Sequence, residues 1–257
     1  MRDWVRNLLA PHVSERVAGA PPSVSGASSF FLWWDLPYGE RVVEASVTLE
    51  VARRPELDRL VSFAIQGAFV RPSGGSCHLG LQHDPRFPDR SAINWEGYDA
   101  GGSALTASES ALPSVIEETA TRDYAWRQAV PYKLTIERGD ERANETYPWF
   151  GAVTNLQSGE RVVVRELVNA SRYMRAPVMY IESYAPCDGP GFEARWTNAT
   201  SVNLGGVVRA VRSMSVDYQP HAAGGCTNTN TAVEGDAFVQ RAGQMRVTKS
   251  GTTLRID

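Results

Sequence analysis

The sequence predicts an all-β sandwich or barrel, on three observations. Between Tyr124 and Trp196 the chain is a succession of short runs rich in β-branched and aromatic residues: 132–136, 149–153, 161–165, 177–184 and 192–196. Gly, Pro and Asn separate these runs, and no convincing helix lies among them. The composition, 42% hydrophobic and 21% charged over 257 residues, is that of an ordinary globular domain with apolar material for a sizeable core.

Taken from the N-terminus, Trp4, Val5, Leu8 and Leu9 recur at helical spacing, so a short amphipathic helix or turn is expected before Pro11. Residues 18–29 are rich in Ala, Gly, Pro and Ser and read as a linker. An N-terminal segment over residues 1–29 and a single sandwich domain over residues 30–257 follow from that reading. Strands begin with Phe30 to Leu36. Next, Val43, Ala45, Val47, Leu49 and Val51 share one face while Glu44, Ser46, Thr48 and Glu50 share the other, a half-solvated strand. Val61, Phe63, Ile65 and Phe69 line one face of a further strand over 60–70. Residues 77–82 and 91–96 follow as a pair joined by a polar turn, and residues 99–121 as a long loop with one helical turn near 114–119. After the central runs, 207–218 alternates as one long strand. Residues 220–236 form a Gly/Thr/Asn-rich loop, either a lid or a loose crossing, and 245–256 reads as a hairpin turning at Lys249-Ser250-Gly251.

Several classes of function recede at this point. A formal net charge of −3 with no clustered Lys/Arg run argues against nucleic acid. No segment has the length and apolarity of a membrane span, and Met1 to Pro11 lacks the apolar stretch of a secretory leader. A cytoplasmic protein is expected, or a secreted one if a leader has been removed. Three cysteines, Cys77, Cys187 and Cys226, cannot all pair, and free thiols in a reducing compartment are expected. The sequons at Asn144, Asn169 and Asn198 are expected to be chance matches. Oligomeric state is not legible.

The order of short motifs carries a resemblance. Gly80-Leu81-Gln82, Ser91-Ala92-Ile93-Asn94-Trp95, Asp123-Tyr124-Ala125-Trp126 leading into Pro131-Tyr132-Lys133-Leu134, and Trp149-Phe150-Gly151 follow one another. This series resembles an uncharacterised bacterial domain family with a concanavalin-like, jelly-roll sandwich, often seen near carbohydrate-related modules. The likeness covers roughly residues 30–200, and Trp95-Glu96-Gly97 stands where Trp-Asp is expected. It implies an antiparallel two-sheet jelly roll and tilts function toward saccharides. It brings no catalytic residues with it.

Period two puts Val178, Tyr180, Glu182 and Tyr184 on one strand face. A carboxylate between two tyrosines suits sugar binding, because rings stack on apolar sugar faces and the carboxylate accepts hydroxyl hydrogen bonds; an exposed strand face that merely favours pairing has the same pattern. A second cluster is Trp95, Glu96, Tyr98 and Asp99, with Glu193, Arg195 and Trp196 as a possible neighbouring strand. A glycosidase dyad of Glu182 with Glu96 or Glu193 is one way to combine them. Cys77, His78 and His83 hold zinc-type donors, although Cys77 and His78 must point to opposite faces. Asp84, Asp89, Asp188 and Asn155 are possible calcium donors, without an EF-hand pattern. No cofactor is otherwise expected.

Three functional readings follow. The leading one is a saccharide-binding module using Tyr180, Tyr184, Trp95, Glu96, Glu193 and Trp196. The second is an enzyme on the same scaffold, a glycan hydrolase or lyase or a small-molecule cyclase, with Glu182 as general acid or base. The third is a structural or assembly protein. A small molecule or saccharide is the expected partner.

Overall fold

Apolar alternation produces sixteen strands in this computed structural model, which describes residue 21 and residues 25–257. All ladders are antiparallel. The first sheet contains β1 (Ser28–Trp34), β3 (Val61–Phe69), β4 (Ser76–His83), β5 (Ser91–Tyr98), β6 (Thr121–Asp123), β10 (Met174–Ser183), β13 (Ser213–Tyr218) and β16 (Thr253–Arg255). Their spatial order is β16-β13-β1-β10-β3-β4-β5-β6. The second contains β2 (Val42–Arg53), β7 (Pro131–Arg138), β8 (Tyr147–Asn155), β9 (Arg161–Asn169), β11 (Glu193–Asn203), β12 (Val208–Ala210), β14 (Thr229–Glu234) and β15 (Ala237–Ala242). It runs β14-β15-β11-β2-β7-β8-β9, with β12 also on β11. A single pairing, Met174 with Val42, stitches the sheets at one corner.

The inner faces meet in a core to which the first sheet sends Phe30, Leu32, Phe63, Ile65, Leu79, Leu81, Ile93 and Trp95. The second answers with Val47, Leu49, Leu134, Ile136, Trp149, Trp196 and Phe238. The sheets come into close contact where Gly151 meets the Trp95 indole: a Cβ there would stand 2.5 Å from the ring. The predicted all-β sandwich is the fold observed.

Several local expectations change. The alternating stretch 207–218 is two strands, because β12 pairs with β11 in the second sheet while β13 pairs with β1 in the first. No terminal hairpin forms; β16 alone is strand and it pairs with β13, while Gly251 N–H donates to Val216 O at 2.7 Å. The loop 220–236 contains β14, and residues 99–121 hold no helical turn. Ser28 and Ser29, placed in the linker, already belong to β1, whereas the helix expected over residues 2–9 lies outside the described residues. Free thiols were expected throughout, yet Cys187 and Cys226 form a disulfide, leaving Cys77 free and buried. Among the described residues no helix is long and apolar enough to cross a membrane.

Candidate active site

Strand register brings together residues far apart in the chain on the outer face of the first sheet. In one row Ser29 of β1 opposes Glu182 of β10, Glu182 opposes Ser62 of β3, and Ser62 opposes Gln82 of β4. The next row is Phe31, Tyr180, Ala64, Gly80 and Asn94; the third is Trp33, Val178, Gln66, His78 and Glu96. Small side chains floor the centre. Gly80 admits nothing larger, because a Cβ would lie 2.7 Å from both the Ala64 methyl and the Phe63 carbonyl oxygen. Taller side chains surround that floor.

Glu182 and Gln82 face each other across one intervening strand, about 10 Å between α-carbons, with Ser62 between them in the row. Gln82 is 8% exposed and its amide oxygen has no hydrogen-bond partner among the described residues. Asn94, 4% exposed, donates through Nδ2 to Thr121 Oγ1 at 3.0 Å, and its own amide oxygen is likewise unpartnered. Buried, unfilled amide groups are costly in a folded protein and mark places where a ligand or water belongs.

The two carboxylates of this face are driven in opposite directions. Burial raises the pKa of Glu182, and the charge of Glu96 adds to the rise, against opposition from His78 and a hydrogen bond from Ser29. Burial also acts to raise Glu96. Hydrogen bonds from His78 and Tyr98, with the charges of His78 and Arg165, outweigh it and hold Glu96 below the ordinary glutamate value. His78 Nε2 lies 3.1 Å from Glu96 Oε1. Burial and the Glu96 carboxylate together push the Tyr98 hydroxyl up to about 12. Tyr180 and Tyr184 are pushed up as well, by burial first and then by Glu182. Carboxyls with separated proton affinities are the pattern that divides acid from base roles. Here burial lifts the proton affinity of Glu182, while the contacts with His78 and Tyr98 lower that of Glu96.

A strip of rings runs beside them. Trp33, 36% exposed, stacks on Phe31 at 6.2 Å between centroids; Phe31 meets Tyr180 at 5.9 Å, and Tyr180 meets His78 at 6.4 Å.

Of the residues expected from sequence, Glu182, Tyr180, Tyr184 and Glu96 share this face. Trp95, next to Glu96, points the other way into the core, where its carbonyl oxygen accepts Arg165 Nε–H and Nη2–H at 3.1 and 2.9 Å. Trp196 is buried on β11 with its indole N–H on Gln240 Oε1 at 2.9 Å. Glu193 lies in the second sheet, paired with Arg241 at 2.7 Å. The expected neighbouring strand of Glu193 and Trp196 is therefore in the other layer, because β11 pairs with β2 and β15 and not with β5. Gln82, Ser62 and Ser29 escaped the sequence reading; only register joins them to Glu182.

The metal candidates disperse. Among the described residues no three His, Cys, Asp or Glu side chains converge on a point. His83 lies between Arg54 Nε–H, which donates to Nδ1 at 3.4 Å, and the Leu57 carbonyl at 2.8 Å from Nε2. Asp84 is taken by Arg86 at 2.7 Å, and Asn155 Oδ1 caps its own turn at Gln157 N.

The sequence matches no family model and no curated protein. Its structure is similar to that of scytalido-glutamic peptidase bound to a peptide-based transition-state analogue, at 9% identity and a TM-score of 0.45, covering 87% of this chain and 98% of that one. The enzymatically active domain of bacteriophage CBA120 tailspike protein 2 is similar at 12% identity and a TM-score of 0.35, over 73% of this chain and 24% of that one. A prokaryotic β-1,3-1,4-glucanase (lichenase) from a mouse hindgut metagenome is similar at 8% identity and a TM-score of 0.27, over 65% and 88% of the two chains. At such identities the side chains of the outer face must be read on their own.

Proposed function

We propose that the outer face of the first sheet is the active site of an acid-side hydrolase, with Glu182 as general acid and base and Gln82 as the amide that stabilises developing charge. The observation that carries this reading is the buried Gln82 side chain, whose unpartnered amide oxygen can accept a hydrogen of the attacking water, in the same register row as a glutamate whose proton affinity is raised. Water held between the two loses a proton to the Glu182 carboxylate as its oxygen attacks a carbonyl carbon. The carbonyl oxygen gains the negative charge and takes a hydrogen bond from the Gln82 amide N–H. Collapse of that adduct breaks the bond to the leaving nitrogen or oxygen, which receives the proton from Glu182. Glu96, its proton affinity lowered beside His78, raises that of Glu182 through its charge.

An acyl bond fits this pair better than a glycosidic bond. A glycosidase needs a second carboxyl about 5–9.5 Å from the first. Glu96 is separated from Glu182 by two intervening strands, roughly 14 Å between strand axes, and lies in a different register row, where His78 and Tyr98 engage it. A second reading, saccharide binding, is favoured by the ring strip from Trp33 through Phe31 to Tyr180, which offers stacking surface beside hydrogen-bonding groups. The Cys187–Cys226 disulfide suits an oxidising compartment for either activity.

The test is turnover of unfolded casein, an aryl ester and β-glucan between pH 3 and 7. We expect acyl cleavage whose acid limb lies above the ordinary glutamate pKa of 4.5. Glu182→Gln should abolish it, and Gln82→Leu should lower kcat about 100–1,000-fold. Cleavage of β-glucan alone, or turnover that survives Glu182→Gln, defeats the proposal. Binding of oligosaccharide without turnover, lost in Trp33→Ala, establishes the second reading instead.

A further inference from the structure

At the end of the sandwich where β10 begins, five arginines from four separate parts of the chain come together. Arg41 follows β1, Arg71 follows β3, Arg138 ends β7, and Arg172 and Arg175 flank Tyr173 at the entry to β10. Arg41 and Arg175 both stack on the Tyr173 ring, at 5.4 and 5.6 Å from its centroid. Arg138 lies 4.9 Å over Tyr147 and donates to Arg172 O at 2.6 Å. Arg71, Arg172, Tyr147 and Tyr173 line a cleft of about 390 Å³. Among the described residues none of these five guanidinium groups forms an ion pair, whereas Arg86, Arg90 and Arg142, in connections between strands, each do. The carboxylates on the cleft are Glu141, which accepts a hydrogen bond from the Tyr147 hydroxyl, and Glu145. Nearby Glu40 is held by Arg209 at 3.2 Å and Asn203 at 2.9 Å. Arg71 and Arg172 share the cleft with those two glutamates, and Arg41, Arg138 and Arg175 add positive charge beside it through their contacts with Tyr173 and Tyr147.

We propose that this arginine cluster is a docking site for an anionic polysaccharide, a carbohydrate chain bearing sulfate or phosphate esters. Guanidinium forks suit such groups because each presents paired N–H donors matched to two oxyanion oxygens. The cations are spread over several connections and not focused on one point, which suits repeated anions along a polymer. Nucleic acid fits less well. Single strands are gripped by stacking bases on free rings, whereas here the guanidinium groups of Arg41 and Arg175 lie against Tyr173, and Tyr147 is buried beneath Arg138. The site does not depend on Glu182 or Gln82. Those residues lie in a different row, toward the other end of β10 and β4.

The experiment is retention of the full chain on immobilised dextran sulfate and on phosphorylated dextran, with uncharged dextran as reference, followed by salt elution. We expect retention at 50 mM salt on at least one charged matrix and none on dextran; which matrix holds tighter identifies the ester. In Arg41→Ser/Arg175→Ser the slope of log affinity against log salt should fall by roughly one per arginine removed. Arg41→Lys/Arg175→Lys should keep the slope and weaken binding, and Arg127→Ser, in a different cleft, should elute like the parent. Thermal unfolding checks that each variant is folded. Failure to bind either matrix, an unchanged slope in the double serine variant, or displacement by polyuridylate or phosphatidylserine vesicles at equal charge concentration overturns the proposal.

Discussion

Glu182→Gln should make this protein more stable at neutral pH while leaving its stability at acid pH almost unchanged. Burial raises the Glu182 pKa in the folded state, with Glu96 adding to it, so the folded chain binds that proton more tightly than the unfolded chain does. Stability from this group is therefore complete below the unfolded value near 4.5, declines as pH rises to the folded value, and is lost above it. Each tenfold difference in the acid constant is worth about 1.4 kcal/mol. A glutamine of the same shape has no charge to desolvate, so the variant escapes that loss. For a domain of this size each kcal/mol moves Tm by about 2–4 °C. Glu96 shifts in the opposite sense, but it is present in both proteins and largely cancels in the difference. The groups that face Glu182 and feel the change are His78, Ser29, Glu96, Tyr180 and Tyr184. The assay is differential scanning calorimetry of parent and variant from pH 3 to 8, plotted as the Tm difference. A difference that starts near zero and grows positive through pH 4.5–7 is expected. A negative difference at pH 7, or one independent of pH, refutes the view that Glu182 is a desolvated carboxyl and with it the proton-carrying role.

Two further outcomes test the scaffold. The Cys187–Cys226 bridge spans 39 residues, and in the chain-entropy description its loss costs about 3–4 kcal/mol; Cys187→Ser/Cys226→Ser should lower the urea midpoint accordingly, and an unchanged midpoint would show that the bridge restrains nothing. Gly151→Ala places a methyl 2.5 Å from the fully buried Trp95 ring, and overpacking of this kind costs about 1–3 kcal/mol. That outweighs the fraction of a kcal/mol gained from a stiffer unfolded chain, so a fall in the urea midpoint with a changed tryptophan emission spectrum is expected.

Within-strand information was legible in the sequence, and between-strand information was not. Val178, Tyr180, Glu182 and Tyr184 share a face because side chains alternate along a strand, and the outer face carries all four. Glu96 and Trp95 had to part company for the same reason. Gln82 was visible only as the end of Gly80-Leu81-Gln82, since its place beside Glu182 depends on how β3 pairs with both neighbours. Glu193 and Trp196 resemble site residues by type, but the chain crosses to the other sheet between β10 and β11, and neither residue type nor spacing records a crossing. An odd number of cysteines pointed to free thiols, and the Cys187–Cys226 bridge was not legible because it depends on the connection after β10 and the one before β14 lying side by side.

That bridge bears on the site as well as on stability. Cys226 N–H donates to Ser28 Oγ at 2.8 Å, and the Cys187 carbonyl accepts the Asn228 side chain, so both half-cystines are tied to the segment that covers the start of β1. Ser28 pairs with Ser183, and the next residue, Ser29, pairs with Glu182 and hydrogen-bonds its carboxyl. Gln219 holds Ser29 from the far side, accepting its N–H through Oε1 at 2.9 Å and donating its own N–H to Ser29 O at 3.0 Å. The Ser29 hydroxyl is thus fixed on a strand end that would otherwise be free to fray. Fixing it matters, because the hydrogen bond it supplies opposes the desolvation of Glu182 and sets how far the carboxyl's proton affinity can rise. A continuous set of hydrogen bonds and strand pairings therefore links the disulfide loop through β1 to the carboxyl on which the proposed chemistry rests.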